Sequence, residues 1–253
     1  MDKAIELRSK CKHFRVLVIG RANAGKTTLL KKVCNSIEDP EIFSPEGEKV
    51  LSRGLHDIEN QLIFKSNPQF VFHDSRGFES GSVEEMENVK TFIAKQAGGN
   101  NLSEQLHAIW RPMKNFSTLM LPAKASLRYC LYPTNQSYQV PVIAIFTKFD
   151  GLVNEAYTEL IDSELELSHE GAEKKQLEKA QELLDNRYRE PLRRARYPPS
   201  DNVQVDDMRV DDSNCNELIA KTAEALTDDT LRLLFVSVQQ NNIDLCIEYA
   251  LKE

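Results

Sequence analysis

The sequence predicts a three-layer α/β/α domain on a mostly parallel sheet, and three observations carry the prediction. First, apolar runs at 14–19 ("FRVLVI"), 70–72 ("FVF"), 106–110 ("LHAIW") and 140–146 ("VPVIAIF") read as buried strands, with helical spacing following the first and the last. Strands buried on both faces, as in parallel sheets, need such runs. Second, the first run stops at Gly20, and "TTLLKKVCNS" follows with Leu29, Leu30, Val33 and Cys34 on one helical face. Third, strand, glycine-bearing loop and helix follow one another in the order of a βαβ unit.

A chain of 253 residues suits one such domain with insertions, here 14–253 after an N-terminal extension at 1–13. The net charge of −7 argues against general affinity for nucleic acid or an anionic membrane, because both reward Lys and Arg. No apolar run reaches the ~18 residues of a membrane span. "MDKAIELRSKCKHF" lacks the apolar core of a signal peptide. The five cysteines are scattered without a CxxC pair, which fits free thiols in a reducing compartment; a cytoplasmic protein is expected.

The first loop reads Gly20-Arg21-Ala22-Asn23-Ala24-Gly25-Lys26-Thr27-Thr28, the GxxxxGK[ST] spacing of a phosphate-binding loop. Glycine lets the backbone turn its amides toward anionic oxygens, and the helix starting near Lys26 adds the positive end of its dipole. Lys26 would neutralise the β- and γ-phosphates, and the Thr27 hydroxyl would ligate Mg²⁺.

The base is chosen further on. "VPVIAIFTKFDGL" ends a buried run in Thr147-Lys148-Phe149-Asp150. A carboxylate at Asp150 accepts two hydrogen bonds from guanine N1–H and its amine, a pair that adenine does not offer. Lys148 would lay its stem over the base, and Thr147 stands where Asn is usual. Between the two motifs, "FVFHDSRGFESG" places Asp74 at a strand end to hold Mg²⁺ through a water, with the Gly77 amide to meet the γ-phosphate. Last, "LRLLFVSVQQNN" is expected to form a strand at 231–236 ending at Ser237, where a backbone amide would approach guanine O6.

With these motifs in order, the chain resembles GTPases of the Era/septin-type superfamily, whose first box reads GRxNxGKST. It also resembles G-domain proteins of basidiomycete fungi through "HDIENQLIFKSNPQFVFHDSRGFESG", "VIAIFTKFD" and "LLFVSVQQNN". The resemblance spans about 14–250. It implies a P-loop GTPase fold (a G domain), GTP and GDP as ligands, and Mg²⁺.

Departures from that pattern bear on mechanism. The family's switch Thr has no counterpart between Thr28 and Thr91. Ser52, 22 residues before Asp74, is the best stand-in, and Ser44 competes with it. The polar stretch "EIFSPEGEKVLSRGLH" around them reads as a mobile loop. His56 either reaches the phosphates as a catalytic group or caps and packs. Phe78 follows Gly77 where many relatives carry the Gln that orients water. Asn23 either supports the loop's turn or, as in cation-dependent relatives, helps hold K⁺. Arg21 and Arg76 either stabilise developing charge or, as is commoner for a lone loop arginine, are solvated or paired with an acid.

Two stretches depart in length. Residues 111–139 contain no Asp or Glu and three prolines, so a long irregular segment is expected there, or a replaced helix. Residues from about 151 to 230 read as a helical insertion before the last strand. Within it, helices are expected at 153–168, 171–195 and 214–226, with a short edge strand in "NVQVDDMRV". The insertion is either a nucleotide-dependent partner surface or a solvated elaboration of the sheet. "NIDLCIEYALK" closes the chain as an amphipathic helix.

The expected function is GTP binding with slow Mg²⁺-dependent hydrolysis. Lys26, Asn23, Ser52 and His56 are the catalytic candidates. Gly20, Ala22, Ala24, Gly25, Thr28, Gly77, Thr147, Lys148, Asp150 and Ser237 join them around the nucleotide, and Thr27 and Asp74 around the metal. A GTP-binding switch or scaffold without turnover is the alternative; an ATP-using P-loop enzyme is a third reading. Homodimerisation remains open.

Overall fold

The computed structural model describes residues 11–50, 57–75, 83–98, 101–113, 140–163, 168–205, 208, 210, 213–239 and 247. Among them, seven strands form one sheet: β1 (Phe14–Val18), β2 (Glu41–Phe43), β3 (Gln61–Phe64), β4 (Asn67–Asp74), β5 (Ala108–Met113), β6 (Val142–Phe146) and β7 (Asp201–Gln204). Their order is β2-β3-β4-β1-β5-β6-β7. All pairings from β4 across to β7 are parallel, while β3 runs antiparallel to both neighbours. The helices are α1 (Lys26–Val33), α2 (Val83–Ala97), α3 (Phe149–Ser163), α4 (His169–Leu184), α5 (Glu190–Arg193), α6 (Asn216–Ala225) and α7 (Asp229–Ser237). A π-helical turn, Asp185–Arg189, joins α4 to α5.

The two-residue period of a strand explains the layers. On β1, Phe14, Val16 and Val18 enter the main core with Leu29 and Leu30 of α1, Leu218 of α6 and Phe235 of α7. Leu17 and the following Ile19 face the other way, onto Phe92 and Ile93 of α2. On β6, Ile143 and Ile145 join the main core. Val142 packs with the α2 cluster, and Phe146 with Leu152, Ala156, Leu183 and Leu184 of α3 and α4. Both faces are therefore covered, which is the predicted α/β/α arrangement.

A polar network joins His73, which packs on Phe92 of α2, to His107, which packs on Phe14. The Arg15 amide donates to His107 Nδ1 at 2.9 Å, and Arg15 Nη1 lies 3.4 Å from His73 Nε2. The other ring nitrogens sit 2.9 Å from carbonyls, His73 Nδ1 from Ile58 O and His107 Nε2 from Leu102 O. Each ring thus accepts at one nitrogen and donates at the other, the pattern of a neutral imidazole. Burial drives both imidazoles down to about 4. Cys11, Cys34 and Cys215 are free and buried, and burial pushes the Cys34 and Cys215 thiols up to about 12. Cys11, expected in an N-terminal extension, belongs to the main core.

Three expectations are corrected. Residues 231–236 are helical, within α7, not a strand. The Asp228 carboxylate caps the helix by accepting from the Leu231 amide, and Leu231, Leu234, Phe235 and Val238 recur at i, i+3, i+4 and i+7 toward the core. The last strand of the described chain is instead β7, at the sheet edge, so the helical insertion is α3 to α5, and α6 and α7 follow the sheet. Finally, 41–50 is not a mobile loop. The Ser44 amide donates to Glu48 O at 2.8 Å, Gly47 N donates to Ser44 O at 2.9 Å, and Phe43 bridges Lys49, closing a tight hairpin. β5 runs on to Met113; the rest of the predicted irregular segment lies outside the described residues, as does nearly all of the predicted closing helix.

Candidate functional site

The phosphate side grows from the end of β1. The Ile19 amide donates to Trp110 O at 2.9 Å, and Ser75 N to Val18 O at 3.1 Å, so β1 and β4 end level while β5 runs on to Met113 beside the loop. A Cβ on Gly20 would lie 2.8 Å from the Pro112 carbonyl oxygen; only glycine lets the chain pass there. The loop then turns through left-handed conformations at Asn23 (φ 57) and Gly25 (φ 79). Gly25 caps α1 with no side-chain hydrogen bond, and the first helical bond runs from Leu29 N to Gly25 O. The amides of Lys26, Thr27 and Thr28 therefore have no acceptor inside the helix and stand at the positive end of its dipole. Asn23, Thr27 and Thr28 are exposed, and Ala22 is half-buried. One amide departs from expectation: Ala24 N donates to Arg21 O at 3.2 Å and braces the turn.

Lys26 Nζ donates to Gly20 O at 3.0 Å and Arg21 O at 3.2 Å, and lies 3.7 Å from Asp74 Oδ1. That last separation is an ion pair without a hydrogen bond, and Oδ1 has no hydrogen-bond partner. Burial pushes the Asp74 carboxyl up to about 6, against the lowering effect of Lys26. A half-buried carboxylate, its Oδ1 cut off from solvent and facing one distant ammonium, is short of positive charge. With the solvent-accessible Thr27 on the helix that the loop feeds, the oxygen donors fit a hard cation such as Mg²⁺.

The base side follows β6. Thr147 is fully buried; its amide donates to Met113 O at 3.2 Å. Its hydroxyl lies 3.1 Å from Ala24 O and 3.2 Å from Met113 O, sharing one proton between them. Thr147 is thus a tie to the phosphate loop. Lys148 is exposed in a left-handed conformation (φ 59), Phe149 buries its ring as α3 begins, and Asp150 is exposed in the helix's first turn. The structure therefore brings the Thr147–Asp150 motif against the phosphate loop at the carboxyl end of the sheet, where open α/β sheets bind ligands.

Ser237 is not part of this site. It ends α7 and donates its hydroxyl to Leu234 O at 2.8 Å. The next residue, Val238, accepts from Asn67 Nδ2 at 3.3 Å. Asn67 begins β4 and Asp74 ends it, a span of about 23 Å at 3.3 Å per residue. The chain that does adjoin the phosphate loop follows β7. Val205 N donates to Phe146 O at 2.9 Å, Met208 Cε lies 3.1 Å from where a Gly25 Cβ would stand, and Lys32 Nζ donates to Val210 O at 2.8 Å. The available signal is the short β-run "NVQV" preceding Met208. Sequence reasoning also misses Ser75: it is buried beside Asp74, and its hydroxyl has no partner among the described residues. Ser44 sits in the hairpin turn described above. Ser52, His56, Arg76, Gly77 and Phe78 lie outside the described residues.

No protein-family profile matches this sequence, and no curated protein does. Among solved structures, the G domain of the T. maritima FeoB iron transporter is similar at a TM-score of 0.41 and 14% identity, over 84% of this chain and 98% of that one. A point mutant of S. thermophilus NFeoB bound to GDP gives 0.44 and 12%, over 95% and 83%. A GTP-binding protein from Sulfolobus solfataricus in complex with GDP gives 0.36 and 15%; the match covers 85% of this chain and only 52% of the archaeal one. These are distant likenesses, and the chemistry assigned to this chain rests on its own residues.

Proposed function

We propose that this protein binds GTP and GDP together with Mg²⁺ and converts GTP slowly to GDP and phosphate. The observation that carries the reading is the hydrogen bond from Thr147 to Ala24 O, which joins the motif suited to guanine to the loop suited to phosphates. Lys26 would exchange its loop carbonyls for β- and γ-phosphate oxygens. Gly20, Ala22, Asn23, Gly25, Thr27 and Thr28 shape the phosphate cradle, Asp150 accepts from the guanine edge, and Lys148 covers the ring. When bound, Mg²⁺ supplies charge to the phosphate oxygens; Thr27 and Asp74 would hold it.

In hydrolysis, water attacks the γ-phosphorus and the bond to the β–γ bridging oxygen breaks. Phe78 cannot orient that water, so another group must place it; Ser52, His56 and Asn23 are the candidates, with Gly77 sensing the γ-phosphate. If Asn23 acts through K⁺, phosphate release is faster in KCl than in NaCl; equal rates remove that role. The second reading, a GTP-binding switch or scaffold without turnover, is favoured by Phe78 and by the absence of Thr from 29–90. Single-turnover phosphate release separates the two. Titration with fluorescent GTP and ATP analogues, with and without Mg²⁺, tests the nucleotide assignment; equal affinity for both would end it. No described helix is long and apolar enough to cross a membrane. A cytoplasmic protein of the Era/septin type, with a nucleotide-dependent protein partner or a second copy as its contact, completes the proposal.

A further inference from the structure

The insertion is joined to the sheet at a point that bears on the guanine side of the site. Its helix pair packs into one core with Phe146 and Phe149, the residues that flank Thr147 and Lys148. Beyond α4 the helix widens into the π turn, an irregularity that concentrates at functional sites. The wider turn sends three successive side chains in three directions. Arg187 grips Glu155 and Glu159 on α3 at 2.8 and 2.7 Å, and Tyr188 buries itself in the α3/α4 core. Arg189 reaches the sheet.

Arg189 Nε donates to Asn202 Oδ1 on β7 at 3.0 Å, and Nη1 pairs with Asp185 at 2.8 Å. Its guanidinium carbon stands 5.9 Å from the centroid of the Phe146 ring on β6. The side chain is only 19% exposed. The Asp185 contact alone is an ordinary i,i+4 pair and is worth little. The planar fork, however, reaches two adjacent strands at once, which a lysine does not do. Those strands deliver the two segments beside the phosphate loop: β6 runs into Thr147–Asp150, and β7 into Val205 and Met208. Phe146 is the shared node, since its carbonyl accepts from Val205 N while its ring lies under Arg189.

We propose that Arg189 is a positioning residue for the guanine base: by clamping β6 to β7 from the insertion, it sets the aim of Lys148 and Asp150 without touching the nucleotide. This rests on the guanine reading above. The insertion therefore controls base affinity separately from phosphate affinity.

The test is calorimetric titration of the full chain with GDP, ADP and pyrophosphate in MgCl₂. Arg189→Met keeps the buried stem and removes the fork. It should weaken GDP about three- to thirtyfold, the range for mutations that act through a packed network, and leave pyrophosphate within about twofold. Asn202→Ala, which removes only the β7 acceptor, should move GDP the same way and be non-additive with Arg189→Met. It also keeps the test open should the Met variant fold poorly. Arg193→Gln, whose exposed side chain pairs with Glu190 on α5, should change neither ligand. Equal losses for GDP and pyrophosphate would mean a merely structural role, and no loss for either would also overturn the proposal. Wild-type protein that binds ADP as well as GDP would instead remove the guanine reading, and this inference with it.

Discussion

The two sides of the site are held by different means. The phosphate side is fixed by backbone: Gly20 passes under a carbonyl that admits no side chain, and Asn23 and Gly25 turn left-handed. The base side is fixed by side chains: Phe146 and Phe149 in the insertion's core and Arg189 across β6 and β7. A backbone-built side needs a few fixed residue types at fixed spacing. A packing-built side accepts many sequences provided the volume is filled.

The largest break in this comparison comes from Gly20→Ala. The new methyl group would sit 2.8 Å from Pro112 O, which cannot retreat without parting β1 from β5. We expect a loss of about 3 kcal/mol, a fall of roughly 6–12 °C in thermal midpoint for a chain of this size. A midpoint within a degree of wild type would refute the packing.

Asp74→Asn should act in the opposite direction by a similar amount. The carboxyl is raised from 3.8 to about 6, so above pH 6 the folded chain carries a partly desolvated charge that the unfolded chain solvates fully. Removing it should stabilise the protein at pH 8 by roughly 3 kcal/mol while abolishing the Mg²⁺ dependence of GTP binding. The gain shrinks as pH falls, because the wild-type carboxyl protonates in the fold. His73 and His107 have the opposite linkage: held down to about 4, they take up protons mainly on unfolding, so stability is lost as pH drops below about 6.5. Between pH 6 and 4 these three groups together predict a loss of about 1.4 kcal/mol per pH unit, and about 2.7 in the Asp74→Asn variant. Urea midpoints across that range measure both slopes.

Thr147→Val sharpens the comparison, because Thr147 belongs to both sides. It strips Ala24 O of its donor in a buried setting, at about 1–2 kcal/mol. Pyrophosphate and GDP affinities should fall together, unlike in Arg189→Met; Thr147→Ser should restore them. The smallest effect belongs to neither side. Asp228→Ala uncaps α7 and should cost about 1 kcal/mol in denaturant unfolding with nucleotide affinity unchanged. A strand at 231–236 would not respond to loss of that cap.

The same contrast explains what can be read in advance. Residues 14–33 are legible because a continuous apolar run gives way to 3.6-residue spacing across a loop of set length. "LRLLFV" misleads because five apolar residues in six satisfy either period, and the deciding cap, Asp228, is one of two adjacent aspartates. β7 is visible only as an edge strand; its place beside β6, and hence beside the site, comes from topology. Arg189 leaves no trace in the sequence, since the π turn breaks the helical register that would have pointed to its neighbours.

The buried thiols give the fold its own stopwatch. At pH 7 a thiol held at about 12 presents on the order of one thiolate in 10⁵, and the core shields it from any reagent. With Cys11, Cys130 and Cys246 replaced by serine, alkylation of Cys34 and Cys215 would count the moments at which α1 and α6 lift from the sheet. A nucleotide gripping the head of α1 would slow the count, so occupancy could be followed without a dye, a label or an added tag.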